Sequence, residues 1–182
     1  MILSNILEKE KNNLDLIRII LACLVIVCHS PTLNGNSNFW IDPISFFFKY
    51  TNSGDLAVKL FFFMSGLVVT KSYIYKRNAV YFILSRIFRI IPALLFVILI
   101  TVFIIGPIVT HLSLGEYFSS QRLFLYIKNN IFFNTDYLLP GIFENNFYPN
   151  AVNGSLWSLR YEVGCYIGLL LLFLIIGKQI LP

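Results

Sequence analysis

Charge is scarce in this sequence. Only 13% of its 182 residues are Asp, Glu, Lys or Arg, about half the share of an average soluble domain. Hydrophobic residues make up 57%, aromatics 16%, and mean hydropathy is +0.75. That shortage excludes an ordinary water-soluble domain and points to the bilayer. Ligand-like cysteine spacing is missing too. Cys23, Cys28 and Cys165 form no CxxC pair and no Cys/His set, so no metal site is expected and the thiols read as buried, reduced small hydrophobes. There is no internal repeat and no low-complexity linker. Net charge is +5, from 14 basic against 9 acidic residues. No basic face with interleaved polar residues accompanies it, so nucleic acid is excluded as a partner.

What the sequence does hold is long apolar runs. A spanning helix needs about 20 mostly apolar residues. Four stretches qualify, at about residues 14–31, 56–75, 90–109 and 157–177. The expected fold is therefore all-α, a polytopic transmembrane helical bundle. The charged leader at residues 8–11 resembles the start of a signal peptide, but it is net neutral, and Asp15 and Arg18 interrupt the run behind it. The first segment is expected to stay as a span.

The connections differ in character. Residues 34–55 mix turn formers with the aromatic patch Phe46, Phe47 and Phe48, suited to an interface. Residues 76–89 are short and basic. Residues 110–155 are long, polar and aromatic, with a partial or interfacial helix expected within 118–134. With the N-terminus in the cytoplasm, nine basic residues fall inside and five outside, and the cluster Lys71 to Arg89 decides the orientation.

The polar residues within the spans carry the chemistry. Arg18 and His29 are eleven residues apart. On a helix that is roughly three turns, so both share one face, about 16 Å apart along the axis. Asp15 joins that face one turn earlier. Arg18 either snorkels and pairs with Asp15 or shares a functional stripe with His29. Ionisable groups in a span usually face a bundle interior, and histidine can exchange a proton near neutrality.

Three further groups stand out. Ser65 and Gly66, after Phe61, Phe62 and Phe63, suit close helix approach. Arg86 and Arg89 are i, i+3 neighbours that either anchor a span or bind an anion. Near residues 153–162, Asn153 or Ser155 could cap the last span. Trp157 and Tyr161 fit an aromatic belt, and Glu162 needs a partner, for which His29 or an arginine is available.

In order along the chain, these groups resemble membrane-bound acyltransferase family 3, the bacterial O-acyltransferases that modify surface and secreted carbohydrates. The matching motifs are Arg18 with His29, then Phe61-Phe62 with Ser65-Gly66, then Arg86, Arg89 and Pro92, then Leu156 to Glu162 with Tyr166 beyond. The pattern departs at Leu16 and Ile19, where the family often has glycine. It departs again at Lys59 in an acidic position and at Val163 in place of a second Glu.

The resemblance implies acyl transfer, most simply of acetyl, from acyl-CoA to a carbohydrate hydroxyl. It implies a multi-pass protein of the bacterial inner membrane. His29 and Glu162 are the expected catalytic pair, and Arg18, Arg86 and Arg89 the acyl-CoA site. Asp15, Ser65, Gly66, Trp157, Ser158 and Tyr166 are expected to line the pocket or support it. The resemblance covers only the N-terminal half of the family domain. A missing C-terminal half or a second chain is thus an expected partner. The alternatives are a non-catalytic remnant, one subunit of a split enzyme and, more remotely, a small transporter.

Overall fold

The computed structural model describes residues 13–33 and 42–180. The charged leader and the first part of the 34–55 connection lie outside the described residues. Eight α-helices follow one another there: α1 (Leu14–Leu33), α2 (Pro43–Phe47), α3 (Ser53–Lys76), α4 (Ala79–Ile100), α5 (Gly106–Val109), α6 (Leu114–Ser119), α7 (Gln121–Ile131) and α8 (Trp157–Ile180). A π-helical turn, Thr101–Ile105, joins α4 to α5, and a 3-10 turn, Gly154–Leu156, leads into α8. No strand occurs among the described residues. Four stretches are long and apolar enough to cross a membrane: Leu14–Pro31, Ser53–Lys76, Ala79–Val109 and Gly154–Ile175. The all-α, four-span reading holds. The chain divides into two compact units at the Tyr75–Lys76 boundary.

In the first unit, α1 and α3 pack through Leu21, Ala57 and Met64, with Leu24, Val25 and Phe61 around them. The glycine at a close approach is Gly54, where a Cβ would lie 3.0 Å from Cys28 Sγ. Gly66, expected to serve that purpose, has open space where its Cβ would be. Asp42 begins α2. One of its carboxylate oxygens accepts from the Ile44 and Ser45 amides at 2.8 and 3.1 Å. The other accepts from the Ser53 amide at 2.9 Å and from the Ser53 hydroxyl. This one side chain caps α2 and ties it to the start of α3.

In the second unit, Asn78 caps α4 by accepting from the Tyr81 amide at 3.0 Å. The helix therefore begins eleven residues before the expected span at 90. Residues 79–89 are helix rather than basic loop, and Pro92 lies inside the helix. A strong local cap prolonged the helix through Arg86 and Arg89 despite their charge.

The 110–155 connection also differs from a simple outer loop. Its Tyr117, Leu123, Tyr126, Leu139, Ile142 and Val152 pack with Leu94, Ile98 and Val102 in one core. The segment folds back along the second half of α4. The partial helix expected within 118–134 is present as α7, and a further short helix, α6, precedes it. Arg122 pairs with Asp136, whose other oxygen accepts from Asn129 at 2.9 Å. Asn130 closes the same turn with bonds to the Tyr126 carbonyl and to the Asp136 backbone.

The three cysteines are free. Cys23 and Cys165 lie on exposed helix faces and Cys28 is half-buried, so they are not the buried residues expected.

Candidate functional site

The first constellation is on α1. Arg18 pairs with Asp15 at 3.1 Å, the i, i+3 contact their spacing provides. His29 is exposed, and its Nδ1 lies 2.9 Å from the Val25 carbonyl oxygen. A carbonyl has no proton to give, so Nδ1 must carry the hydrogen and donate it. In the neutral ring this leaves the lone pair on Nε2. An exposed imidazole fixed in that tautomer can accept a proton from a neighbouring hydroxyl. Ser65 is half-buried on α3, within the same unit.

The second constellation joins α4 and α8. Tyr166 is buried, and its hydroxyl donates to the Glu162 carboxylate one turn earlier. The Arg86 guanidinium lies 5.4 Å from the centroid of the Tyr166 ring and 5.8 Å from that of Phe82, within range of a cation–π attraction. The two rings meet edge to face at 6.5 Å. Arg86 Nε donates to Ser85 Oγ at 3.3 Å, while Arg86 Nη1 is buried without a hydrogen-bond partner among the described residues.

A cleft of about 180 Å³ opens beside this cluster, lined by Arg86 and Tyr166 together with apolar residues of α4 and α8 and by Phe133. A buried guanidinium nitrogen without an acceptor is costly in an apolar setting. The cleft can lower that cost by taking a ligand that offers an oxygen to Nη1 and an apolar or flexible arm to the walls.

Expected site residues thus fall into two sets, Asp15, Arg18, His29, Ser65 and Gly66 in one unit, and Arg86, Arg89, Trp157, Ser158, Glu162 and Tyr166 in the other. Glu162 finds its partner in Tyr166. Arg89 is exposed on α4. Trp157 is exposed and meets Tyr161 edge to face at 5.7 Å. Ser158 turns its hydroxyl back to the Ser155 carbonyl at 3.1 Å.

Asn153 does not cap the last helix. It sits in the left-handed region, with φ of 55°, and its amide donates to Thr101 Oγ1 at 2.7 Å and to the Tyr126 hydroxyl at 3.0 Å. Burial pushes the Tyr126 hydroxyl up to about 12, opposed by the bond from Asn153. This knot ties the entry to α8 onto the π-helical turn, about one turn and a half before Glu162 in that helix. Thr101 and Tyr126 carry no motif, and only a polar residue inside an apolar run could have drawn attention to Thr101.

Comparison with known proteins agrees on one family. The model of acyltransferase family 3, described as an acyltransferase domain, matches residues 11–182. An O-acetyl transferase of Shigella phage Sf6 is 32% identical over 158 residues, covering 87% of this chain and 44% of the phage protein. Nodulation protein 10 of Rhizobium leguminosarum bv. viciae is 35% identical over 92 residues, 47% of this chain and 22% of that protein. The chain spans less than half the length of the curated relatives it matches. No solved structure matches it.

Proposed function

The chain belongs to acyltransferase family 3, and from that premise we propose that the intact protein moves an acyl group, acetyl most simply, from acyl-CoA to a carbohydrate hydroxyl of a surface or secreted glycan. It would do so as a multi-pass protein of the cytoplasmic membrane, with its N-terminus inside. The observation that carries the reading is the exposed His29 ring, whose Nδ1 is committed to Val25.

In this reading the acceptor hydroxyl gives its proton to His29 Nε2 as its oxygen attacks the thioester carbonyl carbon. The tetrahedral species collapses, the C–S bond breaks, and the departing thiolate takes the proton from the imidazolium to leave as the free thiol. Proton transfer by a placed base of this kind contributes about 10²–10⁴-fold. Arg18 would serve the inner mouth, its charge balanced by Asp15. Arg86 and Arg89 would hold the donor. The unpartnered Arg86 Nη1 and its apolar cleft suit a ligand with acceptor oxygens and a long, flexible arm. Glu162, held by Tyr166, would position the acceptor.

The test uses membranes holding the full-length protein, labelled acetyl-CoA and surface polysaccharide. Label is expected to reach the polysaccharide with the parent and not with His29→Ala. Undiminished transfer by that variant removes His29 from the chemistry. Acyl-CoA affinity is expected to fall with Arg86→Ala combined with Arg89→Ala, and unchanged affinity removes the pair from the donor site.

A further inference from the structure

We infer that residues 140–153 form a preformed docking loop for the sugar units of the acceptor, with Phe147 and Tyr148 as stacking surfaces and Asn145 and Asn146 as hydrogen-bonding groups. The inference rests on the carbohydrate acceptor proposed above and assigns the place that recognises it.

The loop is shaped before any ligand arrives. At its start, Thr110 Oγ1 donates to the Pro140 carbonyl at 3.0 Å and the His111 amide to the Gly141 carbonyl at 3.1 Å. At its end, the Val152 amide donates to the Tyr137 carbonyl at 3.1 Å, and Asn153 is knotted to Thr101 and Tyr126. Between these ends, the amides of Asn146 and Asn150 both donate to the Phe143 carbonyl, at 3.3 and 3.0 Å. Ile142 and Val152 are buried in the core. A loop already held in shape loses little entropy when it binds.

What the loop leaves outside is specific. Phe147 is 76% exposed and Tyr148 55%, with Asn145 and Asn146 exposed beside them. Among the described residues, neither ring joins the core that buries Ile142 and Val152. Between Asp136 and Arg160 the sequence holds one charge, Glu144, and that carboxylate faces His111 at 3.6 Å.

A surface of rings and primary amides, with Glu144 as its single carboxylate, matches the chemistry of a sugar. The C–H face of a pyranose carries slight positive charge and lies well on the negative face of an aromatic ring. An amide offers a donor and an acceptor side by side, which suits neighbouring hydroxyls. A bilayer would also accept the rings, but it gives no role to the amides beside them.

The experiment takes the full-length protein in nanodiscs and surface polysaccharide purified from the producing cells, carrying a fluorescent label. Phe147→Leu with Tyr148→Leu keeps apolar bulk for a bilayer and removes the flat faces. Phe147→Tyr with Tyr148→Phe keeps both faces. The leucine pair is expected to weaken polysaccharide binding at least tenfold and to raise KM for it equally. Its kcat and its acyl-CoA hydrolysis without acceptor should stay at the parent values. The ring-preserving pair should bind as the parent does. If the leucine pair binds polysaccharide as the parent does while transfer proceeds, the docking loop is overturned and the acceptor class stands. If the parent itself neither binds nor acylates polysaccharide, both fall.

Discussion

The Tyr166 hydroxyl donates to the Glu162 carboxylate one helical turn away, while the Arg86 guanidinium of α4 lies against the same tyrosine ring. One aromatic side chain therefore mediates between a carboxylate and a cation that make no direct ion pair. Its ring lies against the guanidinium and its hydroxyl fixes the carboxylate. Tyr166→Phe separates the two tasks, since it keeps the ring and removes the bond. A hydrogen bond to a charged group contributes about 1.5–3 kcal/mol. Transfer by Tyr166→Phe is expected to fall about tenfold or more with acyl-CoA affinity kept, whereas Tyr166→Leu should lose both. Equal affinity in the leucine variant would show that the ring does not support Arg86.

The chemistry on α1 gives a sharper split. His29→Ala removes the only lone pair that the Val25 contact leaves facing outward from that imidazole. Loss of a general base lowers a rate by about 10²–10⁴-fold. Acyl-CoA binding, read by isothermal calorimetry on the full-length protein, should be unchanged. A parallel loss of binding would mean that His29 holds the donor rather than activating the acceptor.

The π-helical turn has a packing cause that can be tested. Tyr117 reaches back to donate its hydroxyl to the Val102 carbonyl at 3.1 Å. A Cβ at Gly106 would sit 2.0 Å from that hydroxyl oxygen. Gly106→Ala must push the tyrosine out of a fully buried site, and overpacking of this kind costs about 1–3 kcal/mol. Tyr117→Phe leaves a buried carbonyl without its donor, again about 1–3 kcal/mol. Thermal melting should show both losses, with the double variant less destabilised than their sum because the nearest colliding atom has gone and only the ring carbon Cζ, at 2.7 Å, has still to shift. Strict additivity would separate the two residues.

Much of this architecture is written plainly in the sequence. Four apolar runs give four membrane-length helices, and an i, i+3 spacing gives the Asp15–Arg18 pair. What escaped is what depends on contacts distant along the chain. Tyr126 and Asn153 look like ordinary residues of a polar connection until the fold brings them to Thr101. Local caps moved boundaries in the same way, as Asn78 did by starting α4 early enough to carry Arg86 into the helix. Glu162 was expected to need a partner, but periodicity alone could not choose between a residue of another helix and Tyr166 on its own.

The Arg122–Asp136 pair anchors the folded-back segment. Asp136 is 8% exposed and also accepts from Asn129 and from the Leu138 amide. Removing Arg122 leaves the Asp136 carboxylate with neutral donors and no countercharge, at a cost of about 1–3 kcal/mol. Arg122→Ala should therefore loosen residues 121–139, seen as faster amide exchange there. Asp136→Asn with Arg122→Met should recover most of the protection, because no charge is then left without a partner. Exchange as slow as in the parent for Arg122→Ala would place the stability of this segment in its apolar core alone.

Asp42 provides a pH-dependent test in the other unit. Partial desolvation raises its pKa, but the hydrogen bonds from Ser53, Ser45 and Ile44 prevail and hold the carboxyl down at about 2, below its ordinary 3.8. A carboxyl depressed in the folded state stabilises above its unfolded value and ceases to do so as pH falls through the folded one. The cap is thus complete above about pH 4 and is lost on descending toward about pH 2. Amide exchange at Ile44, Ser45 and Ser53 should accelerate across that window relative to the chain's other capped amides, such as Tyr81 under Asn78. In Asp42→Asn the same amides should show no such dependence, since the amide side chain does not titrate. Persistence of the acceleration in that variant would assign it to another carboxyl, and the tie between α2 and α3 would then not depend on the charge of Asp42.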